Sequence, residues 1–248
     1  MRLKDKVAIV TGAASGFGEG IARVFSREGA SIVVADVNEE RGKSVAASLP
    51  KASFIRCDVS KSADVKAMVE AAQSEYGGLD ILVNNAGITH KRQPMLDVGE
   101  DEFDRIYAVN VKGIYLGAMH GVPALVQRGG GVILNIASTA GIRPRPGLTW
   151  YNGTKGAAIT LTRSMAIELA PDKIRVCAIN PVIGETALLE SFMGGPDSEE
   201  MRASFIAGIP LGRMSRPEDI ANAALYLCSD EADFITGVCM EVDGGRAI

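Results

Sequence analysis

Residues 7–18 read VAIVTGAASGFG, a short β-branched run that leads into a turn with three glycines. The run predicts a buried strand, and the amphipathic segment from Gly16 to Gly29 predicts a helix directly after the turn. Backbone N–H groups at a helix start suit a diphosphate, and Gly12, Gly16 and Gly18 let such a group approach closely. The stretch therefore predicts a dinucleotide site, with an ordinary tight connection as the alternative.

Six further β-branched runs follow, and amphipathic stretches separate most of them. The runs are residues 31–36, 53–58, 80–85, 131–137, 174–180 and 237–242. Their near-continuous apolar character predicts strands that are covered on both faces. Helix candidates are residues 39–48, 62–76, 101–128, 150–170 and 217–229. The alternation predicts an α/β, doubly wound Rossmann fold, with a seven-stranded parallel sheet and helices on both faces.

The composition is that of one folded unit, with 47% apolar and 23% charged residues among 248. No linker or run of charge divides the chain, so we expect a single domain over residues 1–248. Residues 185–208 contain no predicted strand and carry GGPDSEE in their middle. This segment is therefore predicted to cover the substrate.

Net charge and short apolar runs disfavour several classes of partner. The formal net charge is −4, which offers no basic patch for nucleic acid or an anionic membrane, so a small-molecule substrate is expected. The first apolar run is too short for a secretion signal, and none approaches the roughly 18 residues of a membrane span, so we expect a cytoplasmic protein. The four cysteines and two histidines show no ligand spacing, so no metal is expected.

The second predicted strand ends at Asp36, where a carboxylate can bind adenosine ribose hydroxyls and repel a 2′-phosphate. Ser15 and Val37, which stand where a cation would favour NADP, are uncharged. Arg41 on the next helix is the basic residue that weakens this argument. The sequence favours NAD over NADP, and the alternative for Asp36 is a helix cap.

Small and polar residues also follow the third and fourth predicted strands. Asp58 and Val59 lie in CDVS, and Asn85, Ala86 and Gly87 lie in NNAG. Because the carboxyl ends of parallel strands meet at one edge, these residues predict a groove for adenine and ribose. Turn residues without a ligand are the alternative.

The stretch YNGTK places Tyr151 and Lys155 one turn apart on the same helix face. A cation beside a tyrosine favours the phenolate, which would let Tyr151 exchange a proton with an alcohol or carbonyl. An ordinary surface pair is the alternative. Gly153 lies between them, where it either permits close helix packing or is a tolerated cost.

TGAASGFG, NNAG, Asn110 in YAVNVKG, Ser138 in NIAST and YNGTK occur in this order along almost the whole chain. Together they resemble the short-chain dehydrogenase/reductase family, including its 3-oxoacyl-carrier-protein reductase and glucose 1-dehydrogenase members. The resemblance implies that Asn110, Ser138, Tyr151 and Lys155 are catalytic. Ser138 would bind the substrate oxygen, Tyr151 would transfer the proton, Lys155 would lower the tyrosine pKa and bind the nicotinamide ribose, and Asn110 would hold a water.

The resemblance also implies a set of cofactor contacts and a homotetramer built through the long helices around the fifth strand. The cofactor set is Gly12, Ser15, Gly16, Phe17, Gly18, Asp36, Val37, Asp58, Val59, Asn85, Ala86, Gly87, Tyr151, Lys155, Pro181, Gly184 and Thr186. The family commonly has P-G-x-[IV]-x-T after the sixth strand, whereas this chain has PVIGET. The backbone of residues 182–184 is therefore expected to differ from the family pattern, while Thr186 stays in register.

The loops of residues 89–94 and 139–149 and the segment 185–208 are predicted to wall the substrate pocket, with Ser138, Arg145, Tyr151 and Phe192 as contacts. Both loops are basic, for which a solvated surface is the ordinary explanation and an anionic substrate is the alternative. The function predicted is an NAD(H)-dependent oxidoreductase that interconverts a secondary alcohol and a ketone of 3-oxoacyl, sugar, polyol or hydroxy-acid type. The alternative is a catalytically silent NAD-binding regulatory or scaffold protein.

Overall fold

The computed structural model describes residues 1–185, 189–193 and 198–248, and within these residues it has one seven-stranded sheet. All neighbouring strands are parallel, in the order β3-β2-β1-β4-β5-β6-β7. The strands are β1 (Val7–Thr11), β2 (Ser31–Asp36), β3 (Ala52–Arg56), β4 (Ile81–Asn84), β5 (Gly131–Ile136), β6 (Ile174–Pro181) and β7 (Cys239–Val242). The predicted strands and the predicted fold class are confirmed.

Helices cover both faces of this sheet. They are α1 (Gly16–Arg27), α2 (Glu39–Ala47), α3 (Ser62–Tyr76), α4 (Glu100–Tyr107), α5 (Gly113–Arg128), α6 (Thr149–Leu169), α7 (Leu189–Met193), α8 (Glu199–Ile206) and α9 (Pro217–Cys228). On β1, Ala8 and Val10 join the apolar core with α1 and α9, whereas Val7 and Ile9 join the core with α3 and α5. Burial on both faces explains why the strands lack polar alternation.

The prediction of a single helix over residues 101–128 is wrong in one detail. A wide turn over Ala108–Lys112 separates α4 from α5. The turn has the i to i+5 pattern of a π-helix, which changes the direction in which side chains leave the helix. Asn110 lies in this turn and is buried. Helical periodicity in a sequence does not reveal such an insertion.

The segment of residues 185–208 contributes α7, α8 and a small apolar cluster beside the sheet. Leu189 of α7 is buried with Val182, Ile183, Ile209 and Met214, and Phe192 and Phe205 pack against them. The described residues of this segment thus pack beside the carboxyl end of β6.

In the described part of the chain, no helix is both long and apolar enough to cross a membrane.

Candidate active site

A cavity of about 320 Å³ lies where β1, β4, β5 and β6 end, on both sides of the point where strand order reverses. Open α/β sheets bind ligands in this crevice. The predicted site residues that line it are Gly12, Ser15, Gly16, Phe17, Asp36, Val37, Asp58, Val59, Asn85, Ala86, Gly87, Ser138, Arg145, Tyr151, Lys155, Pro181, Gly184 and Phe192. Gly18 and Asn110 lie behind the cavity wall, and Thr186 lies outside the described residues.

The glycine turn is held from below by the end of β4. Gly12 and Gly16 have φ values of 64° and 57°, which favour glycine. A Cβ on Gly18 would lie 2.2 Å from the Gly12 carbonyl oxygen, so the first turn of α1 sits directly on the loop. The Asn85 side chain donates hydrogen bonds to the carbonyls of Thr11 (2.7 Å) and Gly12 (3.1 Å).

Thr11 was missed in the sequence, although it ends the first strand beside the turn. Its hydroxyl accepts hydrogen bonds from the N–H groups of Asn85 and Ala86, each at 3.0 Å. The NNAG motif therefore fixes the shape of the glycine turn. The side chain of Ser15 makes no cap on α1, so it does not occupy the N–H groups at the helix start, which can bind a diphosphate.

Asp36 joins the glycine turn to the start of α2. One carboxylate oxygen accepts from Ala14 N (3.0 Å), and the other accepts from Asn38 N (2.8 Å). The helix cap is Asn38, whose side chain accepts from Arg41 N, so the alternative role of Asp36 as the cap is wrong. The carboxylate is fixed at the cavity wall, which fits the adenosine ribose of a dinucleotide.

Tyr151 lies on the first turn of α6 and is only 6% exposed. Burial raises the pKa of Tyr151 to about 12. A side-chain hydrogen bond with Ser138 and the positive charge of Arg145 both act in the opposite direction, but burial is the larger effect. Ser138 begins a short helical turn, and its Oγ accepts from Ala140 N at 3.1 Å. The tyrosine therefore keeps its proton at neutral pH within this protein environment.

Lys155 is the buried cation of the site. Its Nζ donates to the Ile136 carbonyl (2.8 Å) and lies 5.8 Å from the centre of the Tyr151 ring. Burial lowers the pKa of Lys155 to about 8. The resemblance implied that Lys155 lowers the tyrosine pKa, whereas burial raises the pKa of Tyr151 and the charge that lowers it belongs to Arg145.

Asn110 comes to the site through the wide turn between α4 and α5. Its side chain donates to the Ile88 carbonyl (2.8 Å) and accepts from Ile88 N (2.9 Å). It also donates to Thr154 Oγ1 (3.0 Å), which in turn donates to the Tyr151 carbonyl (2.7 Å). Thr154, unassigned in the sequence, therefore connects Asn110 to the helix that carries Tyr151.

Several known proteins resemble the chain along its whole length. A family model described as enoyl-(acyl carrier protein) reductase matches residues 12–247. The 4-formylbenzenesulfonate dehydrogenase TsaC1/TsaC2 of Comamonas testosteroni is 52% identical, with 100% of both chains aligned. The 3-oxoacyl-(acyl-carrier-protein) reductase FabG of Thermotoga maritima is 36% identical over the same shares.

Solved structures agree. A short-chain type dehydrogenase/reductase from Mycobacterium marinum has a TM-score of 0.91 and 38% identity, covering 98% of this chain and 96% of its own. The chain belongs to the short-chain dehydrogenase/reductase family. A 3-ketoacyl-(acyl-carrier-protein) reductase from Brucella melitensis in complex with NADH has a TM-score of 0.94 and 50% identity, covering 99% and 100%. The protein is thus a dehydrogenase of CH–OH groups that uses a nicotinamide cofactor.

Gly184 of the PVIGET segment lies where a side chain would clash with its neighbours. A Cβ on Gly184 would lie 2.4 Å from the Phe17 ring and 2.8 Å from Ser215 Oγ. Gly184 also pairs with Ser215 in an isolated bridge, while Val182 and Ile183 are buried. The glycine at position 184 therefore makes room for Phe17, a contact between the first turn of α1 and the end of β6.

On the substrate side, Phe192 of α7 meets Tyr151 edge-on, with ring centres 5.2 Å apart. The two basic loops, residues 89–94 and 139–149, contribute differently to the cavity. His90 is fully buried, with its Nδ1 2.9 Å from the Lys91 carbonyl, so its predicted place in a basic pocket wall is wrong. Arg145 lines the cavity beside Leu148, which the sequence did not mark. In the described parts of the chain, no group of three His, Cys, Asp or Glu side chains is placed to hold a metal.

Proposed function

We propose that this dehydrogenase is an NAD(H)-dependent enzyme that interconverts an alcohol and a carbonyl, with Tyr151 as general acid and base. The observation that carries the proposal is the convergence of Tyr151, Ser138 and Lys155 on the cavity that also holds the glycine turn. One cavity thus offers a proton donor, a second hydroxyl and a cation beside a nucleotide cradle. Secondary alcohols and ketones are the expected substrates.

The residues divide the work by their chemistry. In the reducing direction, the Tyr151 hydroxyl gives its proton to the carbonyl oxygen as the C–H bond forms, and the raised pKa keeps that proton in place beforehand. Ser138 donates to the same oxygen as negative charge develops on it. The nicotinamide supplies or accepts the hydride when it is bound. In the oxidising direction Tyr151 must first lose its own proton to solvent, and the resulting phenolate, which the positive charge of Lys155 stabilises, then accepts the alcohol proton.

Turnover of a carbonyl panel tests this proposal, with NADH absorbance as the measurement. Tyr151→Phe removes the only group that transfers the proton, so a loss of at least about a hundredfold in kcat is expected. Tyr76→Phe is the matched control, since Tyr76 ends α3 and does not line the cavity. Turnover that survives Tyr151→Phe at the parent rate would overturn the role of Tyr151, and turnover by neither protein would favour the silent binding protein.

The cofactor preference we propose is NAD. The Asp36 carboxylate is fixed at the cavity wall, and Val37 beside it is uncharged and 58% exposed. A 2′-phosphate at this point would be repelled by the Asp36 carboxylate. We expect NADH to bind at least about tenfold more tightly than NADPH, and Asp36→Asn to reduce that ratio. Equal titration curves for the two cofactors with the parent protein would contradict the preference.

The names of the relatives add further compounds to the panel of substrates that should be tested. One relative is named for 4-formylbenzenesulfonate and another for 3-oxoacyl groups, so ring aldehydes and 3-oxoacyl compounds join sugars, polyols and hydroxy acids in the screen. Each of these offers a carbonyl, or the corresponding alcohol, to the Tyr151 hydroxyl. The screen separates them by kcat/KM.

A cytoplasmic homotetramer remains our proposal for the form of the enzyme. Tyr115 and Met119 of α5 and Ile167 of α6 are apolar side chains more than half exposed, on the two helices expected to meet between subunits. Burying such side chains stabilises a homo-oligomer. Light scattering should give four times the chain mass of 26.1 kDa, and a monomer would contradict the proposal.

A further inference from the structure

A second cavity, of about 230 Å³, adjoins the catalytic one. Arg145, Leu148 and Phe192 line both. The second cavity adds two further arginines, Arg92 and Arg246, from distant parts of the chain. Three guanidinium groups therefore lie around a space that opens beside Tyr151.

Each of the three arginines is seated on a specific surface. The Arg145 guanidinium lies 5.0 Å from the centre of the Phe205 ring. The Arg246 guanidinium packs over Gly208, where a Cβ would come within 3.3 Å of its Nε. The Arg92 side chain crosses Gly147 in the same way, where a Cβ would lie 2.8 Å from its Cγ. Glycine at both positions lets the arginine stems lie flat.

The backbone that carries Arg246 is also fixed. The buried Asp243 carboxylate accepts from the N–H groups of Gly245 (2.9 Å) and Ala247 (2.7 Å). Arg143 donates to the Arg246 carbonyl at 2.7 Å. Arg143 thus fixes the main chain of Arg246 beside the cavity.

Within the described parts of the chain, the three arginines of this cavity have no carboxylate partner. Among the described residues, no carboxylate lies within 4.0 Å of the guanidinium groups of Arg92, Arg145 or Arg246, whereas Arg213 and Arg128 elsewhere are paired with aspartates. Burial lowers the pKa of Arg145, and the neighbouring charges of Arg246 and Arg92 lower it further. Clustered, partly desolvated guanidinium groups without carboxylates form a site for an anion.

We propose that the substrate is a small organic acid, with a carboxylate or sulfonate bound by Arg92, Arg145 and Arg246 at the end remote from its reacting carbonyl or alcohol. The spacer between the two ends lies against Leu148 and Phe192, which favours an aromatic or other apolar unit. This inference rests on the proposed function. It adds the substrate class and three binding residues to it.

The proximity of the two cavities favours a small acid over a carrier-bound acyl chain. Arg145 lines both cavities, so the anion lies next to the chamber that holds the Tyr151 hydroxyl. In a carrier-bound acyl substrate, the pantetheine arm places many bonds between the phosphate and the thioester. Two adjoining cavities match a smaller molecule, in which few bonds join the anion to the carbonyl. A carrier-bound substrate is therefore an outcome that would overturn the assignment to small acids.

Matched acids and esters provide the kinetic test. 4-Acetylbenzoate and 4-formylbenzoate are compared with their methyl esters, which keep the ring and the carbonyl and lose the charge. The parent enzyme should prefer each acid to its ester in kcat/KM, and that preference should fall about tenfold in Arg246→Gln and in Arg92→Gln. Lys91→Gln is the matched control, because Lys91 is an exposed cation beside Arg92 that lines neither cavity.

A binding measurement keeps the test independent of turnover. Calorimetric titration with 4-methylbenzoate should show binding to the parent and to Lys91→Gln, about tenfold weaker binding to Arg246→Gln, and weaker binding of 4-methylbenzamide to all. Arg92 is exposed, so Arg92→Gln gives a folded second variant if Arg246→Gln melts early.

The outcomes separate the two proposals. Turnover of esters as fast as acids, with equal binding of 4-methylbenzoate to parent and arginine variants, would overturn the anion site and leave the proposed function intact. Binding of 4-methylbenzoate that needs the arginines, without turnover of any carbonyl in the panel, would overturn the proposed function. An arginine-dependent preference confined to pantetheine thioesters would overturn the small-acid assignment.

Discussion

The nucleotide wall and the substrate wall of the cleft are built in different ways. The nucleotide wall consists of the glycine turn, Asp36 and the NNAG segment, and short side chains that hydrogen-bond to backbone groups tie it together. The substrate wall consists of long side chains from separate segments, with contacts such as Arg145 on Phe205 and Arg246 over Gly208.

The difference shows which kind of site a sequence specifies locally. The centre of the nucleotide wall is a strand, a turn and glycines at set spacings, which are close together in the chain, and Asp36 and the NNAG segment follow at the ends of neighbouring strands. A wall of side chains depends on which distant segments the fold brings together. The substrate specificity can therefore change through a few substitutions in the substrate wall, while the nucleotide wall stays the same.

Gly18→Ala should give the largest effect on the nucleotide wall. The new Cβ would lie 2.2 Å from the Gly12 carbonyl oxygen and 2.5 Å from Asn85 Nδ2, so the turn must move. We expect the free energy of unfolding to fall by about 3 kcal/mol, as for other overpacked sites, and NADH binding to weaken at least about tenfold. Urea denaturation and NADH fluorescence titration measure the two effects.

Gly156→Ala is the control for this change, because it lies in α6 and its Cβ would meet only Gly141 O, at 3.9 Å. Alanine there should stabilise the helix by about 1 kcal/mol. If Gly18→Ala behaves like Gly156→Ala, the glycine turn is not held by close backbone contact, and the contrast between the two walls fails.

The same contrast explains how much of the site followed from the sequence. The strand-end residues could be assigned because parallel strands bring their carboxyl ends together. Helical spacing placed Tyr151 and Lys155 on one face, and the family resemblance gave them, with Ser138 and Asn110, a catalytic role. Thr11, Thr154 and Arg246 could not, because their roles depend on contacts with residues far away in the chain. The wide turn at Asn110 was also hidden, since a π insertion leaves no mark in the apolar periodicity.

Lys155→Met tests the buried cation where the two walls meet. The pKa of Lys155 is about 8 in the folded protein, below its ordinary value of 10.5, so the unfolded chain binds more protons between these values. The free energy of unfolding of the parent should therefore rise by about 2 kcal/mol from pH 7 to pH 9.5 relative to Lys155→Met. Urea denaturation at several pH values measures the difference.

The urea denaturation series must end below pH 10, because above that pH the ionisation of Tyr151 also changes the free energy of unfolding. Burial raises the pKa of Tyr151 to about 12 from 10.0, so the unfolded chain ionises first and stability falls above pH 10. Equal slopes for parent and variant between pH 7 and pH 9.5 would mean that Lys155 is solvated, and the site would lose its buried cation.

Gly184→Ala probes the contact that joins the two walls. The Cβ would lie 2.4 Å from the Phe17 ring, a side chain that can move, so we expect a smaller loss of about 1 kcal/mol in the free energy of unfolding. Phe17→Leu removes the ring, and the double variant should recover most of that loss, as a coupling between residues in contact. Additive effects of the two changes would show that Phe17 does not require the glycine.

Gly153→Ala should give the smallest effect, and it separates packing inside the chain from packing between subunits. A Cβ at Gly153 would lie 2.9 Å from the Tyr107 hydroxyl, the flexible end of a side chain on α4. The helical gain of about 1 kcal/mol for alanine should be nearly cancelled by displacement of Tyr107. In the Tyr107→Phe background, where that hydroxyl is absent, the same change should be stabilising by about 1 kcal/mol. A shift in oligomeric state by light scattering in either background would instead place Gly153 at a subunit interface, because only a partner chain would then explain the need for glycine.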